Sequence, residues 1–145
     1  PLHAAAPSGS HEPLQPMEPS PYLPTSRRFG NPLYLRVEAI PEFAELPKRG
    51  RVRQLRDEVR QRAAQSSTIQ RDSAWAAKRA ALKMIHRVPR SAGRELAYAA
   101  FRAREGHALD DFATWCALTE KHGANWRRWP KSLRHPYAPG VTEFV

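Results

Sequence analysis

The sequence predicts a mainly α-helical fold, in which a small helical subdomain follows a long proline-rich loop and one short strand. Two observations carry this prediction. Ten of the 14 prolines lie in the first 47 residues, where they leave little room for regular structure. After Pro47, apolar residues recur at intervals of three and four, which is the spacing of a buried helix face. The chain is therefore divided into residues 1–47, the loop and strand, and residues 48–145, the helical subdomain.

The proline-rich segment is predicted to be extended before it becomes a strand. Residues 1 to 32 are rich in Pro, Ser and Gly, and each X-Pro step holds the preceding residue away from helical backbone angles. Residues 33 to 37 then predict a short strand, in which Leu33, Leu35 and Val37 share one face.

Two helices are predicted next. The first covers about residues 48 to 65, and its buried stripe consists of Val52, Leu55, Val59 and Ala63. The second runs to about residue 86 and starts either at a capping box of Ser67 with Gln70 or at Asp72 as the cap. Its apolar face consists of Trp75, Leu82 and Ile85.

Two further helices complete the predicted subdomain. The third is capped by Ser91 and closed by Gly106. Its inward face is predicted to consist of Leu96, Ala99 or Ala100, and Ala103. The fourth runs from about residue 108 to His122, and Gly123 stops it. Its stripe is predicted to consist of Leu109, Phe112, Ala113 and Cys116.

The chain is strongly basic, which leaves two interpretations of its surface. The formal net charge is +10, and residues 47 to 104 carry 16 Lys or Arg against four acids. A small basic helical module that binds nucleic acid or an acidic protein has this composition. However, the arginines of the first helix alternate with Asp57 and Glu58 as on a solvated face, and no zinc-finger spacing or phosphate-binding glycine loop accompanies them. Specific nucleic-acid binding is therefore the weaker interpretation.

Three separated blocks resemble one enzyme family. They are residues 19 to 35 (PSPYLPTSRRFGNPLYL), residues 72 to 81 (DSAWAAKRAA) and residues 109 to 118 (LDDFATWCAL). In this order they resemble the amylomaltase family, the 4-α-glucanotransferases, which cut one α-1,4-glucan and pass the freed piece to another sugar. The resemblance covers most of the chain.

The resemblance implies more than this chain contains. Members of the family are large (β/α) barrels whose catalytic carboxylates lie on later barrel strands, and those motifs are absent from this sequence. The start at Pro1 rather than Met and the segment Pro1-Leu2-His3-Ala4-Ala5, which looks like the end of an early barrel strand, add to the expectation of an internal piece. The helical subdomain would then be an insertion beside the barrel mouth. The implied mechanism is retaining.

The resemblance also implies a substrate contact. The family's Ser-Pro-Tyr segment matches Ser20-Pro21-Tyr22, and the matching Tyr touches bound glucan beside the catalytic centre. Ser20 and Asn31 can add hydrogen bonds to sugar hydroxyls, although short polar side chains beside proline commonly bond to the loop backbone instead. Trp75 and Trp115 are expected in the core, whereas the sequence leaves open whether Trp126 or Trp129 touches sugar.

Other chemistries find little support in the residue pattern. No metal site and no cofactor are expected, because the six histidines show no ligand spacing. Asp110 and Asp111 point about 100° apart on a helix and cannot flank one glycosidic bond. Cys116 is expected to be a buried small hydrophobe. No leader and no apolar run as long as a membrane span occur, so a cytoplasmic enzyme is expected.

The expected partners follow from the same interpretation. They are α-1,4-glucans and maltooligosaccharides, and the remainder of the barrel enzyme. The isolated chain is also expected to self-associate or to leave its strand poorly ordered, because the apolar side chains of residues 33 to 37 would lack their cover.

Overall fold

The structure, a computed structural model, describes residues 4–5, 24–26, 28–68 and 70–144. Two short strands, β1 (Ala4–Ala5) and β2 (Pro24–Ser26), pair in a two-stranded sheet. All longer elements are helices, and the described chain forms two compact units, one of residues 28–94 and one that includes residues 95–144.

The four predicted helices are confirmed, with bounds within three residues of those expected. They are α1 (Arg49–Ala64), α2 (Arg71–His86), α3 (Ala92–Glu105) and α4 (His107–His122). The residues predicted to cap and to end these helices are also confirmed for α3 and α4. The backbone N–H of Arg94 donates to the Ser91 hydroxyl at 3.4 Å. Gly106 and Gly123 adopt φ of 59° and 81°, which residues with a Cβ rarely adopt.

The start of α2 differs from both predicted caps. The N-cap residue is Gln70, and its side chain makes no cap hydrogen bond. Instead, the Gln70 amide donates to the Ser66 hydroxyl at 2.8 Å, which orders the preceding turn. Asp72 lies in the first turn, where a carboxylate interacts favourably with the helix dipole.

The predicted strand over residues 33 to 37 is wrong. This segment forms two 3₁₀ helices, Pro32–Tyr34 and Val37–Ala39, with Leu35 between them 43% exposed. A third 3₁₀ helix, Pro41–Phe43, follows directly. Proline at a first helical position and the capping side chain of Asn31 favour a turn locally, and this local preference outweighs an imperfect alternation.

The core of the first unit lies where these turns meet α1 and α2. The buried side chains are Val37, Phe43, Leu46, Val52, Ala81 and Ile85. Trp75 is also buried on α2, as predicted, and its indole N–H has no hydrogen-bond acceptor among the described residues. Ala63, at the end of the predicted stripe of α1, is exposed.

The second unit has its own small core, made by Leu118 of α4, Trp129 and Val141. A short helix, α5 (Pro139–Phe144), supplies Val141. Gly140 permits the close approach, because a Cβ there would lie 2.8 Å from the Ser132 carbonyl oxygen. The buried face of α4 is rotated from the predicted stripe, since Leu118 and Thr119 are buried and Ala113 is exposed.

The predicted inward face of α3 is wrong as well. Leu96 is 73% exposed, and Tyr98 and Phe101 are exposed with it. Residues 91 to 104 are all exposed, so this helix buries none of its apolar side chains within the described chain.

One ion pair ties the start of α3 to the turns of the first unit. The Arg94 guanidinium donates to both carboxylate oxygens of Glu42, at 2.8 and 3.2 Å, and the Glu42 side chain is 8% exposed. The hydrogen bond from Arg94, together with a backbone hydrogen bond, holds the pKa of Glu42 below its ordinary value although burial acts in the opposite direction.

This pair predicts a specific acid sensitivity. Because the pKa of Glu42 is lower in the folded state, its stabilisation is present above the carboxyl pKa of the unfolded chain, about 4.3, and is lost as the pH falls through the lower folded value. Arg94→Met should raise the pH at which the first unit unfolds in acid. Arg62→Met, which removes an exposed guanidinium 3.9 Å from Glu58, is the matched control. Equal acid midpoints for the two variants by circular dichroism would contradict the assignment.

Candidate functional site

The predicted substrate contacts lie at the end of the proline-rich segment. Tyr22 and Ser20 fall outside the described residues, whereas Asn31 is described and is 7% exposed. The described part of the site consists of Asn31 and the residues that hold the backbone just after it.

Asn31 uses its side-chain oxygen to cap the first 3₁₀ helix. Its Oδ1 accepts the backbone N–H of Leu33 at 2.9 Å, and the backbone N–H of Tyr34 donates to the Asn31 carbonyl at 3.1 Å. Pro32 occupies the first helical position, where its missing N–H leaves no donor unsatisfied. The oxygen of Asn31 is thus engaged with the backbone, and a contact of this residue with sugar stays a prediction.

A lysine from α2 holds the same turn from the other side. The Lys78 ammonium donates to the backbone carbonyl of Leu33 and is half-buried. Burial lowers the pKa of Lys78, and the nearby charge of Glu38 offsets part of that change. Asn31 accepts from the backbone N–H of Leu33, and Lys78 donates to the carbonyl of the same residue. Together they fix the direction in which the chain leaves the proline-rich loop.

Acidic partners accompany the basic residues of α1. Arg56 donates to Glu38 at 3.1 Å and to Asp57 at 3.0 Å. Arg51 and Arg62 approach the two carboxylate oxygens of Glu58 at 3.4 and 3.9 Å. Backbone hydrogen bonding is the largest influence that lowers the pKa of Glu38, and Arg56 adds to it. This arrangement is typical of a solvated helix face.

The described residues offer few groups that catalyse a reaction. No group of three or more His, Cys, Asp or Glu side chains is placed to hold a metal ion in the described part of the chain. Burial raises the pKa of the Cys116 thiol to about 11, so this group stays protonated near neutral pH and is a poor nucleophile. No helix among the described ranges is both long and apolar enough to cross a bilayer.

Sequence reasoning missed Lys78, although a signal was present. Lys78 lies three residues after Trp75 and four before Leu82, so it belongs to the same inward face of α2 as the predicted apolar residues. A lysine on a buried helix face needs an acceptor, and here the Leu33 carbonyl provides it. The ion pair of Glu42 with Arg94 had no such signal, because the two residues are 52 positions apart.

Removing the Lys78 contact should loosen the turn without unfolding the unit. Lys78→Met keeps much of the aliphatic length and deletes one hydrogen bond to a carbonyl, which contributes about 1 kcal/mol. Amide hydrogen exchange of residues 33 to 40 should become roughly fivefold faster. Lys83→Met, on an exposed position of the same helix, is the matched control. Unchanged exchange in Lys78→Met would show that the contact does not hold the turn.

Known proteins are similar to this chain over nearly its whole length. A sequence profile described as 4-alpha-glucanotransferase matches residues 1–144. Proteins named 4-alpha-glucanotransferase from Mycobacterium bovis and Mycobacterium tuberculosis are 74% identical over all 145 residues. The chain spans only 20% of the length of these relatives. The crystal structure of amylomaltase from Corynebacterium glutamicum aligns with 99% of the chain, at 42% identity and a TM-score of 0.64, over 19% of that protein.

Proposed function

Because the chain belongs to the 4-alpha-glucanotransferase family, we propose that it is the substrate-binding part of an enzyme that transfers segments of α-1,4-glucans to an acceptor sugar. The observation that carries the proposal is the profile match over residues 1–144, supported by 74% identity to proteins of that name. Maltooligosaccharides are the short members of the same substrate class.

In the proposed mechanism the configuration at the anomeric carbon is retained. One carboxylate attacks that carbon while a carboxylic acid gives its proton to the departing glycosidic oxygen. The resulting carboxylate then takes a proton from a hydroxyl of the acceptor sugar, whose oxygen displaces the enzyme from the anomeric carbon. This sequence lacks the family's catalytic motifs, so both carboxylates come from the remainder of the enzyme.

This chain contributes binding and shielding to the proposed enzyme. Tyr22 presents an aromatic ring and a hydroxyl to one glucosyl unit, and Ser20 and Asn31 add hydrogen bonds to sugar hydroxyls. Transfer competes with hydrolysis, so a loop that excludes water from the covalent intermediate favours the acceptor sugar. The contacts of Asn31 and Lys78 with the Leu33 peptide support this role, because they anchor the end of that loop.

The remaining architecture is proposed on the same basis. The helices form an insertion of a (β/α) barrel, and the barrel covers the exposed apolar side chains of α3, Leu96, Tyr98 and Phe101. Self-association of the isolated chain and a cytoplasmic location stay predictions.

The direct test measures the products formed from maltotriose. The full-length enzyme should release glucose and form longer oligosaccharides, whereas the isolated 145-residue chain should release no glucose above a blank. Absence of both products with the full-length enzyme would contradict the proposed function. Glucose release by the purified chain would contradict the assignment of catalysis to the remainder.

A further inference from the structure

A pocket of about 430 Å³ lies in the second unit, beside the turns that follow α4. Its size falls in the range of small-molecule sites, about 300–1,000 Å³. The lining combines aromatic and polar side chains, including Asp110, Asp111, Trp115, Trp126, Arg134 and His135. Nothing in the role proposed for the proline-rich loop uses this pocket.

Two tryptophans of one turn take opposite environments at the pocket. Trp129 is 3% exposed, and its indole N–H donates to the Gly123 carbonyl at 2.7 Å, so it is a core residue. Trp126 is 43% exposed, and the Arg127 guanidinium lies 4.7 Å from the centre of its ring. Trp126 therefore contributes little to the core, while a cation contact restrains its ring at the pocket. An exposed, restrained indole is suited to stacking on a flat ligand.

The charges around Trp126 select the class of that ligand. The Asp110 carboxylate at the pocket is paired with Arg102 at 3.0 Å, and Arg134 Nε donates to the Trp129 carbonyl at 2.7 Å. Asp111 and the other guanidinium N–H groups of Arg134 therefore supply an acceptor and donors there. The Asp111 carboxylate opposes a phosphate or another anion. A neutral ligand with many hydroxyl groups can accept hydrogen bonds from the basic side chains and donate to the acids. Carbohydrate fits this lining better than nucleic acid does.

We propose that this pocket binds a segment of α-1,4-glucan, with a glucosyl ring stacked on Trp126 and its hydroxyls bonded to Asp111 and its polar neighbours. The choice of glucan rests on the proposed function, whereas the stacking geometry rests on the pocket itself. Such a contact would hold a long glucan through a part of the chain other than the loop that carries Tyr22.

The test localises glucan binding in the full-length enzyme by hydrogen exchange measured with mass spectrometry. Maltoheptaose should slow exchange in peptides covering residues 107 to 130. In Trp126→Ala the apparent Kd for this protection should rise about tenfold, the loss expected for one stacking contact. Asp111→Ala should weaken it severalfold. Tyr137→Ala is the matched control, because Tyr137 is a 79% exposed aromatic residue that does not line the pocket.

The possible outcomes separate this inference from the proposed function. Protection that is absent in the wild type, or equal in Trp126→Ala and the wild type, would overturn the pocket assignment even if maltotriose is converted normally. A Trp126 peptide that is already fully protected without sugar would also overturn it, since another part of the enzyme would then cover the pocket. Protection that depends on Trp126 would support a carbohydrate site even in a protein without transferase activity.

Discussion

Trp129→Ala is expected to lower the free energy of unfolding of the second unit by about 3–5 kcal/mol, the usual loss for removing a buried tryptophan. Trp129 packs against Leu118 and Val141 in a core that has few other buried residues. The substitution also removes the hydrogen bond from the indole to the Gly123 carbonyl, which ties the end of α4 to the following turn. A core this small has little with which to refill the cavity.

Trp126→Ala is the matched control for this stability prediction. It removes the same side chain three positions earlier, but from a site that is 43% exposed, so the free energy of unfolding should change by less than about 1 kcal/mol. Trp129→Phe should lie between the two variants, because it keeps an aromatic ring and loses the indole N–H. Urea unfolding followed by circular dichroism measures all three. Equal losses for Trp126→Ala and Trp129→Ala would contradict the assignment of Trp129 as the core residue.

Local signals in the sequence predicted the helices well. Val52, Trp75 and Ile85 were placed correctly on buried faces, because strong periodicity and capping act within a few residues. Gly106 and Gly123 marked helix ends for the same reason, since their positive φ is a local requirement. Where a backbone conformation is determined by residues close in the chain, the sequence alone is enough to predict it.

The predictions fail where contacts between residues far apart in the sequence, or competing local preferences, determine the structure. Leu96 has helical spacing but no partner in the described chain, and spacing alone cannot supply one. α5 formed in spite of Pro139 and Gly140, because proline is tolerated at a helix start and glycine allows contact with Ser132. In the candidate site, the bond of Asn31 to the loop backbone is a local contact and one of the two alternatives that the sequence left open, whereas the contact of Lys78 with Leu33 joins residues 45 positions apart and depends on packing.

Tyr22→Ala should lower the transfer rate of the full-length enzyme about a hundredfold, and Tyr22→Phe about tenfold. In the proposed site the ring stacks on a glucosyl unit and the hydroxyl makes one hydrogen bond, and each contact contributes on the order of 1 kcal/mol. Phe removes only the hydroxyl, whereas Ala removes both contacts. Because the ring also excludes water from the covalent intermediate, only Ala should raise the ratio of hydrolysis to transfer.

The ratio of products distinguishes shielding from simple binding. Free glucose and transferred oligosaccharides are measured from maltotriose for the wild type and both variants, after equal thermal stability has been established. If Tyr22 only binds substrate, hydrolysis and transfer should fall together, because both pass through the same intermediate. A ratio that rises in Ala and stays constant in Phe requires the ring itself to keep water out. Unchanged rates and an unchanged ratio in Tyr22→Ala would show instead that this side chain packs within its own loop.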